Sequence, residues 1–260
     1  MDKYSHSYSI ILDNMDLNDY RLKPISAIMY LQDAFARFCA TKHMAAYDLF
    51  PKNLYWVIAE LDIEFSAVLP FWSEEIKVEI WISELTALKI FTDFKLYCRN
   101  TVFAQGNGCW FILDQATHHP VKTDIAAAKF ETCPELTLGE HKRLSMLKPI
   151  EKIGSLEHTM SLSDIDFNGH VNNKSYITVA EATLPDDFKK THVLKHLRIS
   201  FKRESFLGDT LSCSTFSTEM PLTYLHRLTK GDSAVCDIQS CWEKREENME
   251  NILDWSRQYN

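Results

Sequence analysis

Asp166, Asn168 and His170 stand at alternate positions in Ser163-Asp164-Ile165-Asp166-Phe167-Asn168-Gly169-His170-Val171-Asn172-Asn173, the densest polar stretch of the chain. In an extended or looped backbone this spacing throws all three side chains to one side. A helix is expected to begin just afterwards, so its free N–H groups and positive dipole end would lie beside them. A carboxylate, an amide, an imidazole and a helix N-terminus are the parts needed to stabilise an oxyanion and manage a proton. The same residues also suit a plain turn. Asn168-Gly169 is a strong turn dipeptide, and Asn172 or Asn173 would serve as a helix cap. Spacing alone leaves both readings open.

Other polar clusters offer less. His118-His119-Pro120 and His141 suggest a metal, but no carboxylate or thiolate stands beside them at ligand spacing, and they read as exposed loop histidines. Seven cysteines, an odd number with no CxxC pair, argue against a disulfide framework or a structural zinc site. No GxSxG elbow offers a nucleophilic serine. Neither a metal nor a cofactor is expected.

The elements that must position these residues are legible from periodicity. Tyr8 to Leu12 is expected as a first strand. Lys23-Pro24 opens a helix, with proline at the first helical position, where its missing N–H costs nothing. Ile25, Ile28, Met29, Leu31, Phe35 and Phe38 give that helix a broad apolar face continuing towards Ala46. Leu61 to Phe65 alternates apolar and acidic residues, and Ile76, Val78, Ile80 and Ile82 alternate with Lys77, Glu79 and Trp81. Ile90 to Cys98 and Thr101 to Leu113 read as a strand pair joined at Arg99-Asn100. Strands packed on a long apolar helix make an α+β arrangement.

The second half repeats this order. Leu197-Arg198-Ile199-Ser200-Phe201 echoes Leu61-Asp62-Ile63-Glu64-Phe65, and a bend and another strand follow each. A second helix is expected from about Asn173 to Leu184, stopping at Pro185. The stretch around Pro134, Gly139 and the charged Glu140-His141-Lys142-Arg143 reads as a linker. The expected division is an N-terminal domain at 1–132, a linker at 133–150 and a C-terminal domain at 151–260. The segment from Lys244 to Asn260 is expected as a short amphipathic helix.

Composition sets outer limits. The 260 residues are 45% hydrophobic and 25% charged, the balance of an ordinary globular protein. No apolar run approaches the roughly 18 residues needed to span a bilayer. A formal net charge of −8 disfavours general nucleic-acid binding, which needs a basic footprint. An acidic partner would need a local basic patch, for which Lys189, Lys190, Lys195, Arg198, Lys202 and Arg203 are candidates. The N-terminal residues carry neither an apolar signal core nor a transit-like stretch, so a cytoplasmic location is expected.

DFNGHVNN followed by an apolar helix, with FKRES after the next strand, resembles the acyl–acyl carrier protein thioesterases of plants and bacteria. Lys52-Asn53-Leu54-Tyr55-Trp56-Val57, the Pro70-Phe71-Trp72 bend before Val78-Glu79-Ile80-Trp81, and Cys109-Trp110-Phe111 are similar to that family's first half. The likeness runs from about Tyr8 to Trp242. It implies a tandem double hotdog, each a long helix wrapped by an antiparallel sheet. It also implies hydrolysis of the thioester joining a fatty acyl chain to acyl carrier protein, which becomes the expected partner. The family's site residues fall on Asp166, Asn168, His170 and Glu204. Beside that glutamate, where a cysteine was once regarded as the nucleophile in plant members, this chain has Ser205. The first half has no histidine in its corresponding stretch, Asp16-Leu17-Asn18-Asp19-Tyr20-Arg21. One active site per chain follows, with the first domain free to hold substrate and Met29, Phe35 and Phe38 lining an acyl tunnel. Monomer and homodimer both remain open. An acyl-CoA thioesterase, a hotdog dehydratase and a non-catalytic acyl-ligand sensor are the alternatives.

Overall fold

The computed structural model describes residues 2–16 and 20–245. Each half runs strand, helix, then four strands. The first comprises β1 (Lys3–Ser9), α1 (Pro24–Thr41), the one-turn α2 (Ala46–Leu49), β2 (Leu54–Phe65), β3 (Glu75–Leu85), β4 (Ile90–Cys98), β5 (Thr101–Asp114) and the one-turn α3 (Asp124–Ala127). The second comprises β6 (Lys152–Thr159), α4 (Asn173–Glu181), α5 (Asp186–Thr191), β7 (His192–Phe201), β8 (Thr210–Ser217), β9 (Thr223–Lys230) and β10 (Ser233–Lys244). The strands join in one antiparallel sheet in the order β1-β3-β4-β5-β2-β7-β10-β9-β8-β6. Five strands of one half meet their five counterparts edge to edge, and each half wraps a helix. This is the tandem hotdog arrangement.

The sequence echo becomes a pseudo-two-fold axis at the central seam. Leu61 pairs with Ile199 and Ile63 with Leu197, symmetrically about Asp62 and Arg198, which lie 136 residues apart. Asp62 Oδ2 accepts a 3.1 Å bond from Arg198 Nε, and its other oxygen meets His196 Nε2. The neighbouring strand closes in at Gly106, where an added Cβ would stand 1.9 Å from the Asp62 carbonyl oxygen. No side chain fits there. The Arg99-Asn100 connection has φ of 48° and 65°, the left-handed pair of a two-residue hairpin matched to the strands' twist.

The halves differ where the site needs them to. α1 is 18 residues long and α4 only nine. The shorter helix ends before Thr183-Leu184-Pro185, because a residue preceding proline is pushed out of helical geometry. The first strand lies at Lys3–Ser9, earlier than Tyr8 to Leu12, and Leu12–Asn14 is a 3-10 turn. Its half-buried positions are Tyr4, His6 and Tyr8, an alternation built from aromatic rather than aliphatic residues. From Thr137 to the start of β6 no helix or strand forms. This stretch crosses the sheet on the face away from α1, where the Leu144 N–H donates to Glu60 and the Leu147 N–H to Gln239. His141 is not exposed as expected. It is buried against Asp93 and stacks on Phe91. The amphipathic helix expected from Lys244 onward lies, beyond residue 245, outside the described residues.

Candidate active site

The Asp166–His170 segment is a closed turn rather than an extended strand. The Asp166 N–H donates to the His170 carbonyl at 2.8 Å, and the Gly169 N–H donates back to the Asp166 carbonyl at 3.0 Å. Gly169 takes φ +82°, which glycine adopts without strain. Asp166 Oδ1 accepts from the backbone N–H of Asn168 at 2.8 Å and of His170 at 3.3 Å. The aspartate therefore organises the loop. Asn172 caps α4, its Oδ1 accepting from the Lys174 N–H at 2.9 Å, and the Val171 N–H donates to the Ser205 carbonyl. That last bond ties the turn to the segment after β7 that carries Glu204. Most backbone N–H groups expected to face a substrate are thus already engaged within the loop and cap.

Glu204 lies beside the turn. Its Oε1 is 3.5 Å from His170 Nδ1, and each of the two side chains is less than a quarter exposed. Oε1 and Asn168 Oδ1 are both buried without a hydrogen-bond partner. The Asn168 amide reaches only to Asp166 Oδ2, at 3.5 Å. Phe206 sets its ring edge-on to His170 at 5.3 Å between centroids, and Tyr55 lies 5.6 Å away on another side. A carboxylate oxygen, an imidazole and an amide oxygen thus converge with hydrogen-bonding capacity left over.

The first half adds two polar residues that the spacing argument did not single out. His118, in the turn after β5, places Nδ1 3.2 Å from Glu204 Oε2 and 2.9 Å from the Tyr55 hydroxyl. Burial, and then the charge of Glu204, push Tyr55 above the usual tyrosine range, so its hydroxyl keeps its proton. His118 is exposed, as expected for a loop histidine, yet it faces a carboxylate. Tyr55 could have drawn attention as a tyrosine buried in Lys52-Asn53-Leu54-Tyr55-Trp56-Val57. Nothing in the local sequence ties His118 to a residue 86 positions away.

These polar groups stand at one end of a cavity of about 900 Å³ lined from both halves. Its apolar wall includes Phe35, Trp56, Ile58, Trp110 and Leu113. Phe35 stacks on Trp110 at 3.9 Å and meets Trp56 edge-on at 5.2 Å. Along α1 the lining stripe is Gln32, Phe35, Ala36 and Cys39, the i, i+3, i+4, i+7 face of a helix. Of the three residues expected to line a tunnel only Phe35 does so. Phe38 packs between Tyr4 and Phe130 in the core, and Met29 lies off the lining stripe.

The acyl-ACP thioesterase N-terminal domain model matches residues 1–128, and the C-terminal domain model of the same family matches 147–244. The chain belongs to the acyl-ACP thioesterase family. It is 26% identical over 214 residues to oleoyl-acyl carrier protein thioesterase 2, chloroplastic, of Arabidopsis thaliana, a match covering 77% of this chain and 56% of that one. The chain spans about half the length of the curated relatives it matches. An acyl-ACP thioesterase from Bacteroides thetaiotaomicron has the same fold, with a TM-score of 0.78 at 21% identity over 93% of this chain and 98% of that one. So does the 12:0-ACP thioesterase from Umbellularia californica, at 0.81 and 16% over 94% and 98%.

Within this acyl-ACP thioesterase family member, Ser205 is fully buried and does not line the cavity. It is placed to hold the turn through its carbonyl, not to attack. Of the six basic residues suggested as a docking patch, five are ion-paired: Lys189 with Asp186, Lys190 with Asp187, Lys195 with Glu243, Arg198 with Asp62 and Lys202 with Asp237. Arg203 alone of the six has no ion pair among the described residues. Together with Lys202 and Lys230 it lines the cavity's polar end.

Proposed function

We propose that the chain hydrolyses the thioester between a fatty acyl chain and the phosphopantetheine arm of acyl carrier protein, releasing the free acid. The observation that carries this reading is the convergence of Glu204, His170 and Asn168 on one side of a mainly apolar cavity of about 900 Å³. A thioester carbonyl is electrophilic and a thiolate leaves readily. The site has only to position a nucleophile and stabilise the oxyanion. In this reading the acyl chain lies along Phe35, Trp56 and Trp110, with its carbonyl at the polar end. Asn168 Oδ1 and Glu204 Oε1 orient a water. Glu204 takes its proton as the oxygen attacks the carbonyl carbon, and His170 protonates the sulfur as the C–S bond breaks. Asp166 keeps the turn closed, so its contribution is geometric. The division at 1–132, 133–150 and 151–260 belongs to the same proposal and is supported by the repeated strand order.

The carrier-bound substrate is preferred to acyl-CoA because the chain belongs to a family named for acyl-ACP hydrolysis. The test is catalytic efficiency on one acyl chain presented on acyl carrier protein and on CoA. A value at least about tenfold higher on the carrier is expected, and the reverse order would establish the CoA alternative. Single-turnover hydrolysis in heavy-oxygen water separates the two chemical routes. Label only in the released acid is expected for water attack, whereas label in the protein would make Glu204 the nucleophile.

A further inference from the structure

We propose that His118 and Tyr55 form a positioning pair for Glu204, so that the active site is built from both halves of the chain. The inference rests on the hydrolase reading above for its catalytic consequence, but the contact itself stands on geometry. Glu204 Oε2 lies 3.2 Å from His118 Nδ1, and its Oε1 lies 3.5 Å from His170 Nδ1. The carboxylate is therefore bracketed by two imidazoles, one from each half. Tyr55 OH is 2.9 Å from the same His118 nitrogen.

Chemistry restricts how the protons are shared. An ionised carboxylate only accepts, so a bare imidazole nitrogen against Oε2 would set two lone pairs face to face. The group is satisfied when His118 carries its hydrogen on Nδ1 and donates it to Oε2. The Tyr55 hydroxyl, held protonated, meets the same His118 nitrogen at 2.9 Å and steadies the ring against the carboxylate. The His118 donor on Oε2, itself steadied by Tyr55, fixes the carboxylate and leaves Oε1 turned towards His170. That is the oxygen with no hydrogen-bond partner.

The loop carrying His118 is built to hold it. Asp114 Oδ1 accepts from the backbone N–H of Ala116 and Thr117 and from the Thr117 hydroxyl, all within 2.9–3.0 Å. The His118 N–H donates to the Asp114 carbonyl and the Gln115 N–H to the Asn53 carbonyl, two residues before Tyr55. His118 adopts φ +54°, a left-handed conformation in which glycine and asparagine are readily accommodated and histidine is tolerated better than most residues.

The backbone conformation also supplies the test. His118→Gly relaxes the turn and removes the donor, whereas His118→Asn tolerates the turn and keeps an N–H close to Nδ1. On acyl-carrier substrate, His118→Gly should lower kcat by about 10- to 100-fold, the scale on which misplacing a reactive group acts. KM should stay within about twofold, with the melting temperature unchanged or raised. His118→Asn should recover most of the loss, and Tyr55→Phe should fall between. Wild-type kcat in His118→Gly, equal damage in Gly and Asn variants, or a change confined to KM would each overturn the assignment. Nitrogen-15 NMR of the imidazoles checks the contact without turnover. The His118 Nδ1 resonance should show an attached proton and should move in Glu204→Gln. An Nδ1 that is unprotonated, or indifferent to that substitution, would refute the pair even if no thioester proved to be a substrate.

Discussion

Glu204 and His170 are the side chains on which bond breaking depends in this account. Glu204→Gln keeps the shape of the side chain and removes its basicity, so kcat should fall by about 10²–10⁴, the usual contribution of a positioned acid or base. His170→Ala should cost a similar factor. A binding protein without turnover would retain acyl-ligand affinity in both variants and show no rate to lose. Ser205→Ala should leave the rate within about threefold, because that hydroxyl does not reach the cavity. Steady-state kinetics on acyl-carrier substrate reads all three. At this scale the sequence was most informative where chemistry is local. Asp166, Asn168 and His170 share one turn, and their types and spacing marked it. His118 was illegible because its partner comes from the other half, and only the antiparallel seam between β2 and β7 brings the two together. Asp166 was legible as a member of the group but not in its role, which depends on hydrogen bonds to backbone N–H groups.

The turn reaches its working shape through the elements that flank it. Asn172→Ala removes the side-chain cap of α4 and should cost about 1 kcal/mol in chemical denaturation. Because α4 is only nine residues long, the loss should also loosen His170 and lower kcat several-fold. Further along the same helix, burial, with Asp16 as a like-charged neighbour, raises the Glu181 carboxyl to about 7, and Lys189 and Lys23 only partly oppose this. The folded chain then holds a proton that the unfolded chain releases from its ordinary value of 4.5 upwards. The stability this provides is complete below about pH 4.5 and disappears as pH rises to about 7. Glu181→Gln should therefore raise the melting temperature at pH 8 and leave it unchanged at pH 4. A melting temperature lowered at pH 8 would show that the charged form is stabilised instead. Elements with aliphatic alternation were legible from sequence. The first strand was displaced because its inward residues, Tyr4, His6 and Tyr8, are separated by serines and do not give an aliphatic pattern.

Across the whole molecule, the two similar halves contribute differently to the cavity between them. From the first, α1, β2 and β5 supply the aromatic wall around Phe35, Trp56 and Trp110. In the second, the corresponding interior holds a polar network, with His226 bonded to Thr215 at 2.7 Å and to Ser240 at 2.8 Å. Cys39→Leu adds bulk to the cavity's helical wall. It should lower kcat/KM on longer acyl chains by about tenfold relative to shorter ones, since each methylene a pocket accepts or rejects is worth about 1–3 kcal/mol. His226 is buried, which depresses its pKa to about 3. Its contribution to stability is present above its ordinary 6.5 and is lost as pH falls towards 3. The denaturation midpoint should accordingly decline below about pH 6.5, and His226→Gln should flatten that decline. The repeat offset and the linker announced the two-fold plan, but not which half would supply the cavity's aromatic wall. That depends on how side chains of similar polarity fill two interiors of the same shape.

The most direct measurement is fatty acid released from a panel of acyl carrier proteins bearing chains of different length, with wild type and Glu204→Gln compared under identical conditions. Release by wild type on at least one chain, reduced by at least about a hundredfold in the variant while acyl-carrier binding persists, is the predicted result. Equal release by both proteins would contradict the assignment of chemistry to the end of the cavity where Glu204, His170 and Asn168 meet.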